Sequence, residues 1–386
     1  MRIAVFDDIA AHYRLTLFRL LSKRSDHEFT FFASEKSHNG VKTINPSLGS
    51  MPVKEGGIRW KIIDNIVFNK RIFFQIGVIR RALLGSFDIY VFPGEFHILS
   101  TWLATAACRL RGNKVVYWGH GLYGNEKHIK KILRNFFNHL PDAHLVYNER
   151  SAHLMADAGI SQSYLFVINN SLDYDAHVAL SKKITESEKN LERKKIFNDQ
   201  KDLPLLIFLG RLTASKKLEL LISSLEILNK RDFKINCLIA GGGEQDDALK
   251  KLVNSYGLEQ YIKFIGPVYD EYKNGIFLSM ADCCVSPGNI GLLAIHSLTY
   301  GTPVITHNDM SNQGPEASAV IEDYTGELFD RDNVTDLADK IYMLISIKRK
   351  EHYKENCRKL ISEKYTPAYQ MKVIDDLIEY LTKTNR

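Results

Sequence analysis

The sequence predicts an α/β protein built from two doubly wound domains with parallel sheets. Three observations lead there. Short apolar runs, such as residues 2–6, Leu205–Leu209 and Ile235–Ala240, alternate with stretches whose apolar residues recur at helical spacing. That order belongs to strand–helix–strand units rather than hairpins. Several runs end in bare or polar loops, among them Gly119-His120-Gly121, Gly210-Arg211 and Gly241-Gly242-Gly243, where α/β sheets place their ligands. The 386 residues suit two domains, each with its own core.

Hydrophobic residues make up 45% of the chain and charged residues 25%, which excludes a disordered or fibrous polymer. A net charge of +6 is too mild to call for a nucleic-acid partner. No run of about 18 apolar residues exists to cross a membrane, and Met1-Arg2-Ile3 starts a strand rather than a signal peptide. The five cysteines (Cys108, Cys237, Cys283, Cys284, Cys357) form no C-x-x-C and sit mostly in apolar runs. They read as reduced structural thiols, so the expected location is the cytoplasm.

Residues 2–6 form the first strand, followed by Asp7-Asp8, a helical pattern from Tyr13 to Ser22, and a second strand over Phe29–Ala33. No G-x-G-x-x-G follows the first strand, so the dinucleotide fingerprint is missing. Asp8, His12, Tyr13 and Arg14 stand where a ligand loop belongs; helix capping is the other reading for Asp7 and Asp8. Residues 58–84 mix Arg59, Lys61, Lys70, Arg71, Arg80 and Arg81 with Trp60, Phe73 and Phe74. They read either as two helices with solvated basic faces or as a face for an anionic membrane surface. Lys127, Lys130, Lys131 and Arg134, among Ile129, Ile132, Leu133, Phe136 and Phe137, form a second such stretch. Strands over Asp88–Phe92, Lys114–Trp118, Ala143–Tyr147 and Leu165–Ile168 complete a domain ending near residue 175. His120, between two glycines at a strand end, is a candidate functional histidine or a turn histidine bonded to backbone.

Residues 176–202 are highly charged and read as a solvated helix or linker. The second domain, 203–366, opens with Leu205–Leu209, then Gly210-Arg211-Leu212-Thr213-Ala214-Ser215-Lys216 and a helix through Leu218, Leu221, Ile222 and Leu225. Strands follow at Ile235–Ala240 and Phe264–Val268. From Cys283 to Thr306 come a strand, a Pro287-Gly288 turn, a helix with Leu292, Leu293, Ile295 and Leu298 on one face, and a strand from Val304. Gly288 and Gly291 allow close approach to the backbone, and a helix starting there suits a phosphate; an ordinary βαβ unit is the alternative. A terminal helix is expected from about Pro367 to Leu381.

Arg211 and Lys216, five apart on a strand-to-helix loop, can converge on one dianionic group, the arginine as a planar fork and the lysine as a point charge. Surface ion pairs are the alternative. No metal-ligand spacing of His, Cys or Asp is present, so these charges rather than a metal would hold a diphosphate. G-x-S-x-G is absent, which argues against serine hydrolase chemistry.

Taken together, Gly210-Arg211-Leu212 with Lys216, Ala240 to Glu244, Gly266-Pro267-Val268, Gly288-x-x-Gly291-Leu292 through Val304, Gly314-Pro315-Glu316 and Tyr324 to Phe329 resemble the family-4 retaining glycosyltransferases. The resemblance implies a GT-B fold, two facing Rossmann-like domains with a cleft between them, the terminal helix (367–386) crossing back to the first. It implies that the first domain takes a glycan acceptor, with Asp8, His12, Tyr13, Arg14 and Tyr123 on that side, and the second a UDP- or GDP-type sugar. Arg211 and Lys216 would hold the diphosphate and stabilise the leaving group, and His120 would lie near the donor sugar. Gly210, Gly243, Pro267, Gly288, Asn289, Ile290, Gly291, Leu292, His296 and Glu316 would complete the donor site, the glycines letting amides reach sugar and phosphate. The family's retention is thought to proceed by front-face attack, which fits the lack of a paired-carboxylate machine.

One departure stands out. The family usually carries two glutamates eight residues apart, and Gly288 and His296 occupy those positions here. Gly288 removes a side-chain contact to the sugar, and His296 could still reach ribose hydroxyls. The expected function is a retaining glycosyltransferase, without cofactor or metal, acting on a lipid-linked glycan in surface polysaccharide assembly, peripheral on the inner face of the plasma membrane. The rivals are a GT-B nucleotide-sugar epimerase and a non-catalytic sugar-nucleotide-binding scaffold.

Overall fold

In the first strand, β1 (Arg2–Ile9), Ile3 and Val5 enter one apolar cluster while Ala4 and Phe6 enter another, so both faces of the strand are buried. A strand buried on both faces belongs inside a parallel sheet covered by helices. The computed structural model describes residues 1–37, 40–68, 72–126, 128–346 and 350–383, in two compact units. Unit 1 is residues 1–171 with 367–386, and unit 2 is residues 172–366.

Unit 1 holds β2 (Glu28–Ser34), β3 (Trp60–Ile62), β4 (Asn65–Phe68), β5 (Ile72–Gln75), β6 (Ile89–Pro93), β7 (Lys114–Gly119), β8 (Ala143–Val146) and β9 (Leu165–Val167). Seven strands form a parallel sheet in the order β3-β2-β1-β6-β7-β8-β9. Phe6 stacks on Phe32 and Phe92 of the neighbouring strands, at 4.7 and 5.1 Å between ring centres, which locks their register. Helix Pro367–Lys383 packs Val373, Ile374, Leu377, Ile378 and Leu381 onto the face carrying Ile3 and Val5. Its Gln370 donates to the Asn169 carbonyl at 2.7 Å and accepts from Ser171 at 2.7 Å.

Residues 58–84 differ from the expected two helices: they form β3, an antiparallel β4–β5 pair and one helix, Val78–Leu84. Ile62, Ile63, Ile66, Val67, Ile72, Phe73 and Phe74 are β-branched or aromatic, and such side chains fit a pleated surface better than a helix. Lys70, Arg71 and Lys127 lie outside the described residues.

Unit 2 holds β10 (Leu205–Leu209), β11 (Asn236–Ala240), β12 (Ile262–Gly266), β13 (Cys283–Val285), β14 (Val304–His307) and β15 (Gly326–Phe329), parallel in the order β12-β11-β10-β13-β14-β15. β12 stops two residues before the expected Val268, because Gly266 turns to φ +71° and Pro267 has no N–H for a ladder. The charged segment after residue 175 belongs to this unit as helices Tyr174–Ser181 and Glu186–Phe197. Arg193 ties the second helix down by donating to the carbonyls of Lys201 and Met280, each at 3.0 Å.

Candidate functional site

In unit 2 the strand order reverses between β10 and β13. At such a switch point the loops leaving the two strands diverge and open a crevice at their carboxyl ends. The loop after β10 carries Arg211 and Lys216, and the loop after β13 carries Gly288 to Leu292. The two loops are strapped together: the Gly288 N–H donates to the Lys216 carbonyl at 3.0 Å, and the Asn289 N–H to the Ser215 carbonyl at 3.1 Å. Lys216 Nζ returns a hydrogen bond to the Asn289 carbonyl. Burial holds the Lys216 ammonium below its usual range, Arg211 adds to that, and Glu316 opposes it. The two cations therefore share one neighbourhood with a buried carboxylate beside them.

Two expectations change here. The Gly288 amide is spent on Lys216 and the Ile290 amide on Gln313 Oε1 at 3.0 Å, so neither is offered to a sugar or phosphate. Gly288 is glycine for a different reason: a Cβ there would lie 2.1 Å from the Ser215 carbonyl oxygen. Gly291 adopts φ +58° just before Leu292, which precedes helix Leu293–Thr299. His296 is already engaged, its Nε2 2.6 Å from Glu271 Oε1 and its ring stacked on His177. Gly210 directly follows β10 and Gly243 lies three residues past β11, where a Cβ on Gly243 would strike the Leu212 carbonyl oxygen at 2.3 Å. Pro267 follows β12 and is exposed.

Unit 1 has its own switch point between β1 and β6, and a cavity of about 370 Å³ opens there. β1 is irregular between Phe6 and Ile9, so Asp7 and Asp8 lie in a bulge, not at a helix cap. Gln75 and Asn65 donate to the carbonyls of Asp7 and Asp8, at 2.7 and 2.6 Å, and hold the bulge open. Asp7 pairs with Arg14 at 2.6 Å, and Arg14 also donates to the Tyr147 hydroxyl and lies 4.5 Å over Trp118. Burial pushes the Asp7 carboxyl up to about 7, with Arg14 opposing and Asp8 reinforcing the shift.

His120 lines the same cavity, stacked on Tyr123 at 5.2 Å and edge-on to Tyr147 at 4.9 Å. Gly121 after it holds φ +61°, and a Cβ there would lie 2.3 Å from Met155 Sδ. Burial first, then Arg134 and Arg14, pushes the His120 imidazole down to about 4, so it is neutral near pH 7. Arg134 is buried and bridges Glu95 and Glu126 at 3.0 and 3.2 Å, which removes it from the expected solvated basic face. The cavity thus brings together Asp8, Tyr13, Arg14, His120 and Tyr123; His12 is exposed and stays outside it.

His144, buried in β8 and hydrogen-bonded to the Asn138 carbonyl at 2.8 Å, is likewise pushed down to about 4 by burial. Both folded values lie below the ordinary 6.5, so the unfolded chain binds more protons between them. Their contribution is whole above pH 6.5 and is lost as pH falls through 4, on the order of 3 kcal/mol each. Asp7 acts in the opposite sense, its contribution being lost as pH rises through about 7. Urea unfolding of His120→Gln or His144→Gln should therefore lose less stability on acidification from pH 6.5 to 4 than the parent; equal losses would refute the neutral-histidine assignment.

Glu95, Trp118 and Tyr147 are site residues that sequence reading missed. Glu95 alone had a signal, following Pro93-Gly94 at a strand end. Trp118 and Tyr147 read only as the last residues of strands, and the convergence of strand ends brings them to the cavity.

With this geometry in place, comparison with known proteins is informative. Residues 189–360 match the family model for glycosyl transferases group 1. An uncharacterized glycosyltransferase of Methanocaldococcus jannaschii is 30% identical over 122 residues, 31% of this chain and 30% of that protein. An alpha-D-kanosaminyltransferase of Streptomyces kanamyceticus is 25% identical over 170 residues, 43% of this chain and 42% of that protein. The chain thus matches less than half the length of these curated relatives. Anabaena HepE in complex with UDP superposes with a TM-score of 0.73 at 16% identity, covering 98% of this chain and 100% of that one. At that identity the likeness establishes the fold, GT-B. The chain thus combines a GT-B fold with a segment, residues 189–360, that matches the group 1 glycosyl transferases.

Proposed function

We propose that this protein is a retaining glycosyltransferase that moves a sugar from UDP or GDP to a lipid-linked glycan in surface polysaccharide assembly. The observation that carries the proposal is the cation pair Arg211 and Lys216 at the switch point of unit 2, its lysine fixed by Asn289 and flanked by Glu316. A diphosphate leaving group gathers negative charge as the glycosidic bond breaks, and two fixed cations stabilise that charge without a metal. HepE, of the same fold, is described bound to UDP and, in another structure with a TM-score of 0.68, to UDP-glucose. In this reading the unit 1 cavity takes the acceptor, and neutral His120 serves as a hydrogen-bonding group rather than a cation.

The outer surface of unit 1 supports a lipid-borne acceptor. Helix His128–Asn138 exposes Ile129 (80%), Ile132, Leu133 and Phe136 (61%), spaced to form one stripe, with Lys130 and Lys131 alongside. Helix Leu99–Leu110 touches it through Trp102 and Phe136 and exposes Leu99, Leu103 and Leu110. An apolar stripe edged by lysines is what an anionic bilayer surface binds. No helix among the described residues is long and apolar enough to span a membrane.

The test supplies radiolabelled UDP- and GDP-sugars with a lipid extract from the source organism in anionic vesicles. Label should enter the lipid phase in a glycan whose new linkage keeps the donor's anomeric configuration. An inverted linkage would overturn retention, and epimerised free sugar released from donor alone would favour the epimerase instead.

A further inference from the structure

His177, Glu271 and His296 are distant in sequence, yet each places a ligand atom within 4.8 Å of the others. They come from three helices of unit 2, Tyr174–Ser181, Glu271–Met280 and Leu293–Thr299. His296 Nε2 is 2.6 Å from Glu271 Oε1, and His177 Nε2 is 3.4 Å from the same oxygen. The two imidazoles stack with their centres 5.0 Å apart, and the Tyr300 hydroxyl approaches the carboxylate at 3.4 Å.

A hydrogen-bonded His296–Glu271 pair explains only half of this arrangement. It leaves His177 buried with Nδ1 unpartnered and Nε2 at a distance too long for a good hydrogen bond. Two imidazoles and a carboxylate are the donor set of a zinc-type ion. Ligand bonds of about 2.0–2.1 Å in a tetrahedron put neighbouring ligand atoms about 3.3–3.4 Å apart. The His177–Glu271 spacing of 3.4 Å already meets that, and the His296–Glu271 contact of 2.6 Å needs to open by less than about 1 Å. The Glu271 side chain is 38% exposed, leaving a side open for a fourth, water ligand.

We propose that His177, Glu271 and His296 form a binding site for a divalent transition-metal ion of the zinc class. The ion ties three helices of unit 2 together, so its binding free energy adds to the stability of that unit. This inference does not rest on the transferase reading, and its test uses no turnover.

The full chain, stripped with a chelator, is titrated with ZnCl2 and separately with CoCl2. One zinc per chain should bind and raise the melting temperature until that ratio is reached, and cobalt should give the visible absorption of a tetrahedral site. His177→Ala and His296→Ala should each weaken zinc binding by at least about 100-fold and Glu271→Gln by about 10-fold, whereas His139→Ala, an exposed histidine elsewhere, should change nothing. Melting in chelator checks that each variant folds; if an alanine variant does not, Glu271→Gln decides. Absence of stoichiometric zinc in the parent, or zinc binding that survives the substitutions, overturns the site.

Discussion

Lys216→Met should abolish the stabilisation of the protein by UDP or GDP and lower kcat/KM for transfer about 10²- to 10³-fold, while leaving the ligand-free melting temperature unchanged or raised. The reasoning starts from the apo protein. Lys216 is largely buried, and both its burial and Arg211 disfavour its charge, with Glu316 opposing them. Burial and Arg211 already work against this charge in the empty protein, and their relief offsets the lost hydrogen bond to the Asn289 carbonyl. A bound diphosphate reverses the balance, since each charge-assisted bond contributes roughly 1.5–3 kcal/mol. Thermal shift at about 100 times the parent's Kd, worth about 2.7 kcal/mol, reads this directly. Arg211→Lys should keep the charge and lose the fork, giving a smaller loss. A Lys216→Met variant that keeps the full nucleotide shift would place the donor elsewhere.

Gly288→Glu restores a carboxylate that the resemblance to family-4 enzymes leads one to expect, and it should inactivate rather than improve the enzyme. The first added atom is the problem. A Cβ at this position lies 2.1 Å from the Ser215 carbonyl oxygen and 2.8 and 2.9 Å from Lys216 backbone atoms. None of these is the end of a flexible side chain, so the two loops must part, breaking the strap that fixes Lys216. Overpacking of this kind costs about 1–3 kcal/mol in stability. Gly288→Ala should therefore be nearly as damaging as Gly288→Glu, in both melting temperature and transfer rate. If Gly288→Ala were inactive but Gly288→Glu active, the missing carboxylate, not the loop contact, would be the determinant.

These two residues also show what the sequence can and cannot carry. Arg211 and Lys216 were legible because they sit in one loop after a buried strand, five apart. The reason for Gly288 was not, since the atom it must avoid belongs to residue 215, on another loop. His296 read as a residue that could reach ribose hydroxyls; its partners His177 and Glu271 lie on two other helices, and no spacing rule joins them. In unit 1 the strands from β6 to β9 were legible as apolar runs, whereas β4 and β5 alternate too briefly to betray themselves among basic residues. The bulge at Asp7-Asp8 is likewise a product of pairing between strands rather than of local preference.

The last helix, Pro367–Lys383, covers the sheet face that begins with Ile3 and Val5. A ribosome therefore delivers residues 1–171 with the part of this face that the last helix covers still bare, and almost two hundred residues of unit 2 must follow before that cover emerges. Unit 2 is contiguous and can close its own core in that interval, whereas unit 1 waits for its second segment. During synthesis the half-built sheet is an apolar surface in need of a chaperone's protection, and a stop codon anywhere before residue 367 would leave it in that state for good.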